Sequence, residues 1–238
     1  MNLDEKIMET PEGVILGKNC EIQQNVHLGA GKRENGQLVI GDNCVIRSGA
    51  VVYYGAKLGN NSKVGHNAII REKNVIGENV SIGSNAELGP GNSVGSNSSI
   101  HGGCFLETTR IGEYCFIAPR VTFLDDKTPV EPRPEYWKGA TVGNDVCIGG
   151  NSVIGPGVSI GDCALIGMGA VVTKDIPAGE VWVGNPARFL KKTADIKYPN
   201  SDIRYLPGNR MRYTFKTKLP VNADEAKKLL GIIQGYND

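Results

Sequence analysis

Nowhere in these 238 residues does an apolar run approach the roughly 18 that a membrane-spanning helix requires, so none is expected. Net charge is almost absent as well. The 26 basic and 25 acidic residues leave +1, which excludes a chain-wide basic field for nucleic acid and makes any polyanion site a local one. The opening MNLDEKIMETPEG is acidic and has no basic stretch leading into an apolar segment, so it does not read as a secretion signal. A soluble, cytoplasmic protein is expected. Six cysteines are present, but no CxxC and no paired Cys/His spacing occurs, which argues against a zinc cluster or a disulfide framework.

What the chain does have is one dominant period. From Ile40 an aliphatic residue recurs at every sixth position: Ile46, Val52, Leu58, Val64, Ile70, Ile76, Ile82, Leu88, Val94, Ile100 and Leu106. The step also links Leu16, Ile22 and Leu28, then Ile111, Ile117 and Phe123, and finally Val142, Ile148, Ile154, Ile160, Ile166 and Val172. A helix does not repeat in sixes; a hexapeptide period is the mark of a parallel β-helix. Each hexad makes one side of a triangular coil, with a large aliphatic pointing inward and a small residue sharing the interior near the corner. Three hexads close a rung, and about eight rungs fit the pattern. Cys20, Cys44, Cys104 and Cys115 fall two residues before a repeat aliphatic, where Ala50, Ala56, Ala68, Val80, Ala86 and Ser98 stand elsewhere, so these cysteines read as small buried hydrophobes.

Three places break the register. Residues 29–36 interrupt the step after Leu28, one residue is missing near Thr108 and Thr109, and the proline-rich run 124–139 is unsuited to a central strand. Loops that interrupt a strict solenoid are where function concentrates. The coil is expected to end near Val172. The expected organisation is a β-helix domain over 1–192 and a tail over 193–238 that caps the coil and carries a short helix, opened by an N-cap at Asn222 with Glu225 as its acidic partner.

The run Gly169 to Arg188, with its Lys-Asp-Ile-Pro turn at 174–177 and Gly-Asn-Pro-Ala-Arg at 184–188, closely resembles the closing motif of hexapeptide-repeat acyltransferases, which are left-handed β-helices. The resemblance spans roughly residues 14–192. It implies an all-β, left-handed parallel β-helix with protruding loops, a homotrimer, and acetyl-CoA or another acyl-CoA in the cleft between subunits. Lys174, Asn185, Pro186, Ala187, Arg188 and Lys191 are the cofactor-binding residues it implies, the cations for the phosphates and the turn for the adenine end. Within the family, Phe116 to Pro129 is similar to members that acylate amino sugars carried on nucleotides, although Ala118 and Asp125 replace that group's usual glycine and asparagine.

Acyl transfer from a thioester needs a base for the attacking group and a donor for the tetrahedral oxyanion. A histidine with a pKa of about 6.5 suits the first task, a backbone N–H the second. Of the three histidines, His66 is the favoured base, with Glu72 or Asn67 as orienting partner, and His101 the second choice. Register places both on the same face, two rungs or about 10 Å apart. Substrate contacts are expected from Arg71, from Asp125 and Asp126 at the start of the proline-rich loop, and from Tyr136 and Trp137 by stacking.

The expected activity is therefore transfer of acetyl from acetyl-CoA to the amino group of a nucleotide-linked amino sugar, with no metal. Two alternatives are an O-acetyltransferase of a small hydroxylated acceptor and a γ-type carbonic anhydrase, which shares the prism. The second expects a further histidine about five residues after His101, where Leu106 stands.

Overall fold

The computed structural model describes residues 11–129, 133–197 and 208–209. Over them the chain winds as a three-sided parallel β-helix whose sides stack into sheets of 8, 10 and 8 strands. The first sheet runs from Val14–Leu16 to Ser159–Ile160, the second from Glu21–Ile22 to Arg188–Lys192, and the third from His27–Ala30 to Val171–Val172. Each strand pairs in parallel with the strand one coil later: Ile40 lies beside Leu58, Leu58 beside Ile76, and Ile82 beside Ile100. The eight expected rungs are present. The repeat works because each short strand leaves its hydrogen-bonding groups to the coils above and below, and every side turns one large aliphatic into the interior.

The inward column from Leu28 to Val172 is buried throughout, with Ile46, Val52, Ile70, Leu88, Leu106, Ile117, Phe123, Ile148 and Ile154 fully sequestered. Cys44, Cys104 and Cys115 sit in the small-residue ladder as expected, whereas Cys20, in the first coil, is only half-buried. Glycine follows the inward aliphatic for a packing reason. A Cβ at Gly77 would lie 2.7 Å from the backbone nitrogen of Ser96 in the next coil, closer than side chains tolerate.

All three register breaks fall on one edge of the prism, where the third sheet hands over to the first. The excursion after Ala30 carries a short 3-10 turn at Arg33–Asn35, and the proline-rich loop carries another at Pro134–Tyr136. Between them lies the shortened corner. Thr108 adopts φ 42, and the Thr109 N–H donates at 2.7 Å to Oδ1 of Asn92, which is fully buried one coil below. A buried side-chain oxygen thus satisfies the backbone N–H at the shortened corner.

The coil extends past Val172. Ile176 bridges to Ile160, and Glu180–Val183 adds to the second sheet in parallel before Arg188–Lys192 turns back antiparallel and covers its end. The helix expected after Asn222 lies outside the described residues. Among the described residues, no helix is long and apolar enough to cross a membrane.

Candidate functional site

His66 and Asn67 form the turn between the second and third sheets, and Asn67 takes the left-handed φ of 54 that asparagine tolerates. The turn leaves the His66 ring exposed, with Nδ1 2.8 Å from Oγ of Ser48, the residue in the same position one coil earlier. Among the described residues its partner is Ser48, in place of the expected Glu72 or Asn67. Glu72 lies six residues on, which in this coil is a full side and therefore another edge. There it accepts from Arg71 at 3.0 and 3.2 Å, and the Arg71 guanidinium also sits 5.7 Å from the Tyr53 ring centroid. No motif marks Ser48 as the partner, although the 18-residue rung sets it directly beside His66. It becomes one only because successive coils stack in register.

The ladder places His101 as expected. Val64 pairs with Ile82 and Ile82 with Ile100, so His66 and His101 follow strands two steps apart, about 10 Å, on one side of the prism. His101 is half-buried, and its ring lies against Phe116 with centroids 4.6 Å apart and planes inclined at 53°. Leu106, which stands where a third histidine was wanted, is a core aliphatic with no ligand atom. No group of three or more His, Cys, Asp or Glu side chains is disposed to hold a metal ion among the described residues.

A second polar centre lies on the edge that carries the loops. Asp125 is 4% exposed, accepts a hydrogen bond from Thr108 Oγ1 at 2.9 Å, and receives the Lys138 N–H on its backbone oxygen at 2.7 Å, which pins the base of the proline-rich loop. Beside it, burial pushes the Glu107 carboxyl up to about 7. The hydrogen bond and charge of Asp125 and the charge of Glu87 add to the rise, while Arg71 opposes it. Glu107 and Glu87 carry no local motif, and only the closing of the coil brings them to Asp125. Asp126 is the more accessible aspartate of the pair and accepts from the Thr128 N–H at 2.8 Å, an Asx turn that shapes the loop. Tyr136 and Trp137 are exposed farther along it, with Arg133 stacked 4.4 Å from the Tyr136 ring centroid.

At the end of the coil, Asn185, Pro186 and Ala187 lie in one tight turn above the last strand of the third sheet, and Arg188 opens the strand that follows. Asn185–Pro186 is a cis peptide, and the Ala187 N–H donates to the Val171 oxygen at 2.8 Å. That bond commits the Ala187 amide, so any recognition by this turn must use its other groups. Lys174, Arg188 and Lys191 are exposed there; Lys192, by contrast, is paired with Glu180 at 2.6 Å.

The bacterial transferase hexapeptide family (six repeats) matches residues 37–72 and 139–174, and the hexapeptide repeat of succinyl-transferase matches residues 73–107. Galactoside O-acetyltransferase of Escherichia coli is 44% identical over 93 residues, which cover 37% of this chain and 46% of that protein. A 2,3,4,5-tetrahydropyridine-2,6-dicarboxylate N-acetyltransferase of Staphylococcus aureus is 42% identical over 60 residues, 25% of each chain. The matches thus span less than half the length of these relatives. Among solved structures, a UDP-N-acetylglucosamine acyltransferase from Bacteroides fragilis superimposes with a TM-score of 0.65 at 19% identity, over 93% of this chain and 88% of that one. Repeat and fold agree: the hexads are similar to those of bacterial transferases over 37–107 and 139–174, and the fold is that of a left-handed β-helix.

Proposed function

We propose that the protein is a CoA-dependent acyltransferase that moves acetyl from acetyl-CoA to the amino group of a nucleotide-linked amino sugar, working as a cytoplasmic homotrimer. The observation that carries the acyltransferase reading is the match of its hexads to transferase repeat families, together with relatives named as O- and N-acetyltransferases. The sugar nucleotide rests on the run Phe116 to Pro129 and on the loop it opens. The domain assignment accompanies this reading: residues 1–192 as the transferase unit and 193–238 as its tail.

His66 accepts the proton of the attacking amine as nitrogen bonds to the thioester carbon, with His101 as the second candidate. A backbone N–H along the cleft receives the oxyanion. Collapse of the tetrahedral species breaks the C–S bond, and the imidazolium returns the proton to the departing CoA thiolate. His66 can act as base through Nε2 only when Nδ1 carries its proton and donates to Ser48, a requirement the 2.8 Å contact permits. Lys174, Arg188 and Lys191 suit the CoA phosphates, since all three are exposed cations at one end of the coil. Arg71, Asp126, Tyr136 and Trp137 are the substrate contacts, and the buried Asp125 holds the loop that presents them. The test is thiol release from acetyl-CoA with a panel of nucleotide-linked amino sugars. Release that depends on the amino sugar supports the reading, and no release above hydrolysis with any member removes that acceptor class.

A second reading is an O-acetyltransferase of a small hydroxylated acceptor, favoured by the 44% identity to galactoside O-acetyltransferase. Release with galactosides and none with amino sugars would select it.

A further inference from the structure

Gly208 and Asn209 lie far beyond the last strand in sequence yet pack against the middle of the coil. The Asn209 N–H donates to the Tyr114 oxygen at 2.6 Å, and its side-chain amide donates to Ser99 Oγ at 2.8 Å, to the Cys115 oxygen at 2.9 Å and to the Asn97 oxygen at 3.3 Å. The side chain is 2% exposed. Its effect on the wall can be read from the ladder itself. Ser81 and Ser99 are register partners in neighbouring coils, but Ser81 is half-buried while Ser99, under Asn209, is 2% exposed. Gly208 fits by having no side chain. Its φ is 75, and a Cβ would lie 3.0 Å from the Asp145 Cα while striking the Tyr114 oxygen.

The slot is not a generic surface. Asn97 and Tyr114 occupy the left-handed corner positions of successive coils, with φ 62 and φ 56, and present carbonyls outward on one edge. One asparagine side chain, together with its own N–H, satisfies both corner carbonyls and a serine hydroxyl. Ten residues separate Lys197 from Gly208, and the eleven steps between them reach about 36 Å when extended. The five ladder steps from Arg188–Lys192 back to Ser99–Ile100 span about 24 Å, so the chain's own tail can reach its own slot.

We propose that Asn209 is a positioning residue that locks the two strands carrying His101 and Phe116. Ser99 precedes His101 by two residues, Cys115 precedes Phe116 directly, and Ser99 and Phe116 are register partners. Asn209 bonds to both Ser99 and Cys115, so it fixes from outside the wall on which the His101 and Phe116 rings meet. Gly208 and Asn209 are in this way part of the histidine wall. The catalytic consequence rests on the acyltransferase reading, whereas the placement of His101 does not.

The test uses the full chain and two variants, Asn209→Asp, which keeps the shape but loses the amide donors, and Gly208→Ala, which blocks the close approach. Carbethoxylation of His101 and His66 by diethyl pyrocarbonate is followed separately by peptide mass spectrometry. The expected result is a severalfold faster reaction at His101 in both variants, with His66 unchanged. Ser99→Ala, a milder lesion of the same slot, gives a smaller change in the same direction and serves if either variant fails to fold. Rates at His101 equal to the parent would overturn the proposal, and so would a rise shared equally by His66, which reports general loosening of the coil. If the parent transfers acetyl, the variants lower kcat and leave the KM for acetyl-CoA unchanged. Absence of transfer in the parent bears on the proposed function alone, because the histidine rates are read without turnover.

Discussion

Ser48 and His66 are one coil apart and meet through a 2.8 Å contact between Oγ and Nδ1. Both lie on the edge between the second and third sheets, at a turn where neither side chain fills the core. If His66 is the base, His66→Ala lowers turnover by about 10²- to 10⁴-fold, the usual contribution of a general base. Ser48→Ala has a smaller effect, because the ring keeps its nitrogen and loses only its orientation. Neither change moves the thermal midpoint appreciably. Thiol release and a melting curve on the same preparations check both halves of this expectation, and full turnover in His66→Ala removes the residue from the role.

Glu107 predicts a pH dependence of stability. Its pKa is raised from the ordinary 4.5 to about 7 by burial first and by Asp125 and Glu87 second. The folded state therefore holds a proton that the unfolded chain has released. This contribution to stability is complete below about pH 4.5 and declines as pH rises, disappearing above about 7. Glu107→Gln stays neutral, so its melting point should gain on the parent between about pH 5 and about pH 8. A constant offset across that range would show that Glu107 does not titrate there.

The shortened corner predicts an unequal pair of substitutions. Asn92→Ala strips the Thr109 N–H of its partner inside the core, an expected loss of about 1–3 kcal/mol. Asn74 occupies the equivalent place one coil earlier, but its Oδ1 has no partner and only its amide nitrogen is bonded, to the Arg71 and Gly89 oxygens at 2.8 Å. Asn74→Ala removes an orphaned acceptor along with those bonds and should cost less. Denaturant midpoints of the two variants decide the order.

The core cysteines should resist alkylation in the native protein. Burial pushes the thiols of Cys44 and Cys104 up, and that of Cys115 up to about 12; the Cys115 Sγ donates at 3.0 Å to the Gly143 oxygen. Iodoacetamide footprinting at neutral pH should leave all three unmodified until the chain is unfolded. Modification of Cys115 in the folded protein would contradict its place in the ladder.

The sequence by itself determined the coil. A six-residue step needs only local information, since each hexad repeats the same demand for one inward aliphatic, one small neighbour and one turn residue. The hexads from Leu16 to Val172 therefore announce the rung number and the buried face, and the unbroken run from Ile40 to Leu106 the spacing of His66 from His101. The loops were also legible as interruptions of that step. Only the tertiary structure decided which residues meet across coils, because that depends on where each turn falls around the prism. It turned His66 Nδ1 onto Ser48 Oγ, kept Glu72 with its neighbour Arg71 and away from His66, drew Glu107 and Glu87 to Asp125, aligned all the register breaks on one edge, and brought Asn209 back against Ser99. A period specifies what lies above and below each residue in a regular stack, but side-chain pairing at the corners and the seat of Asn209 against Ser99 are set by three-dimensional closure, which no local pattern encodes.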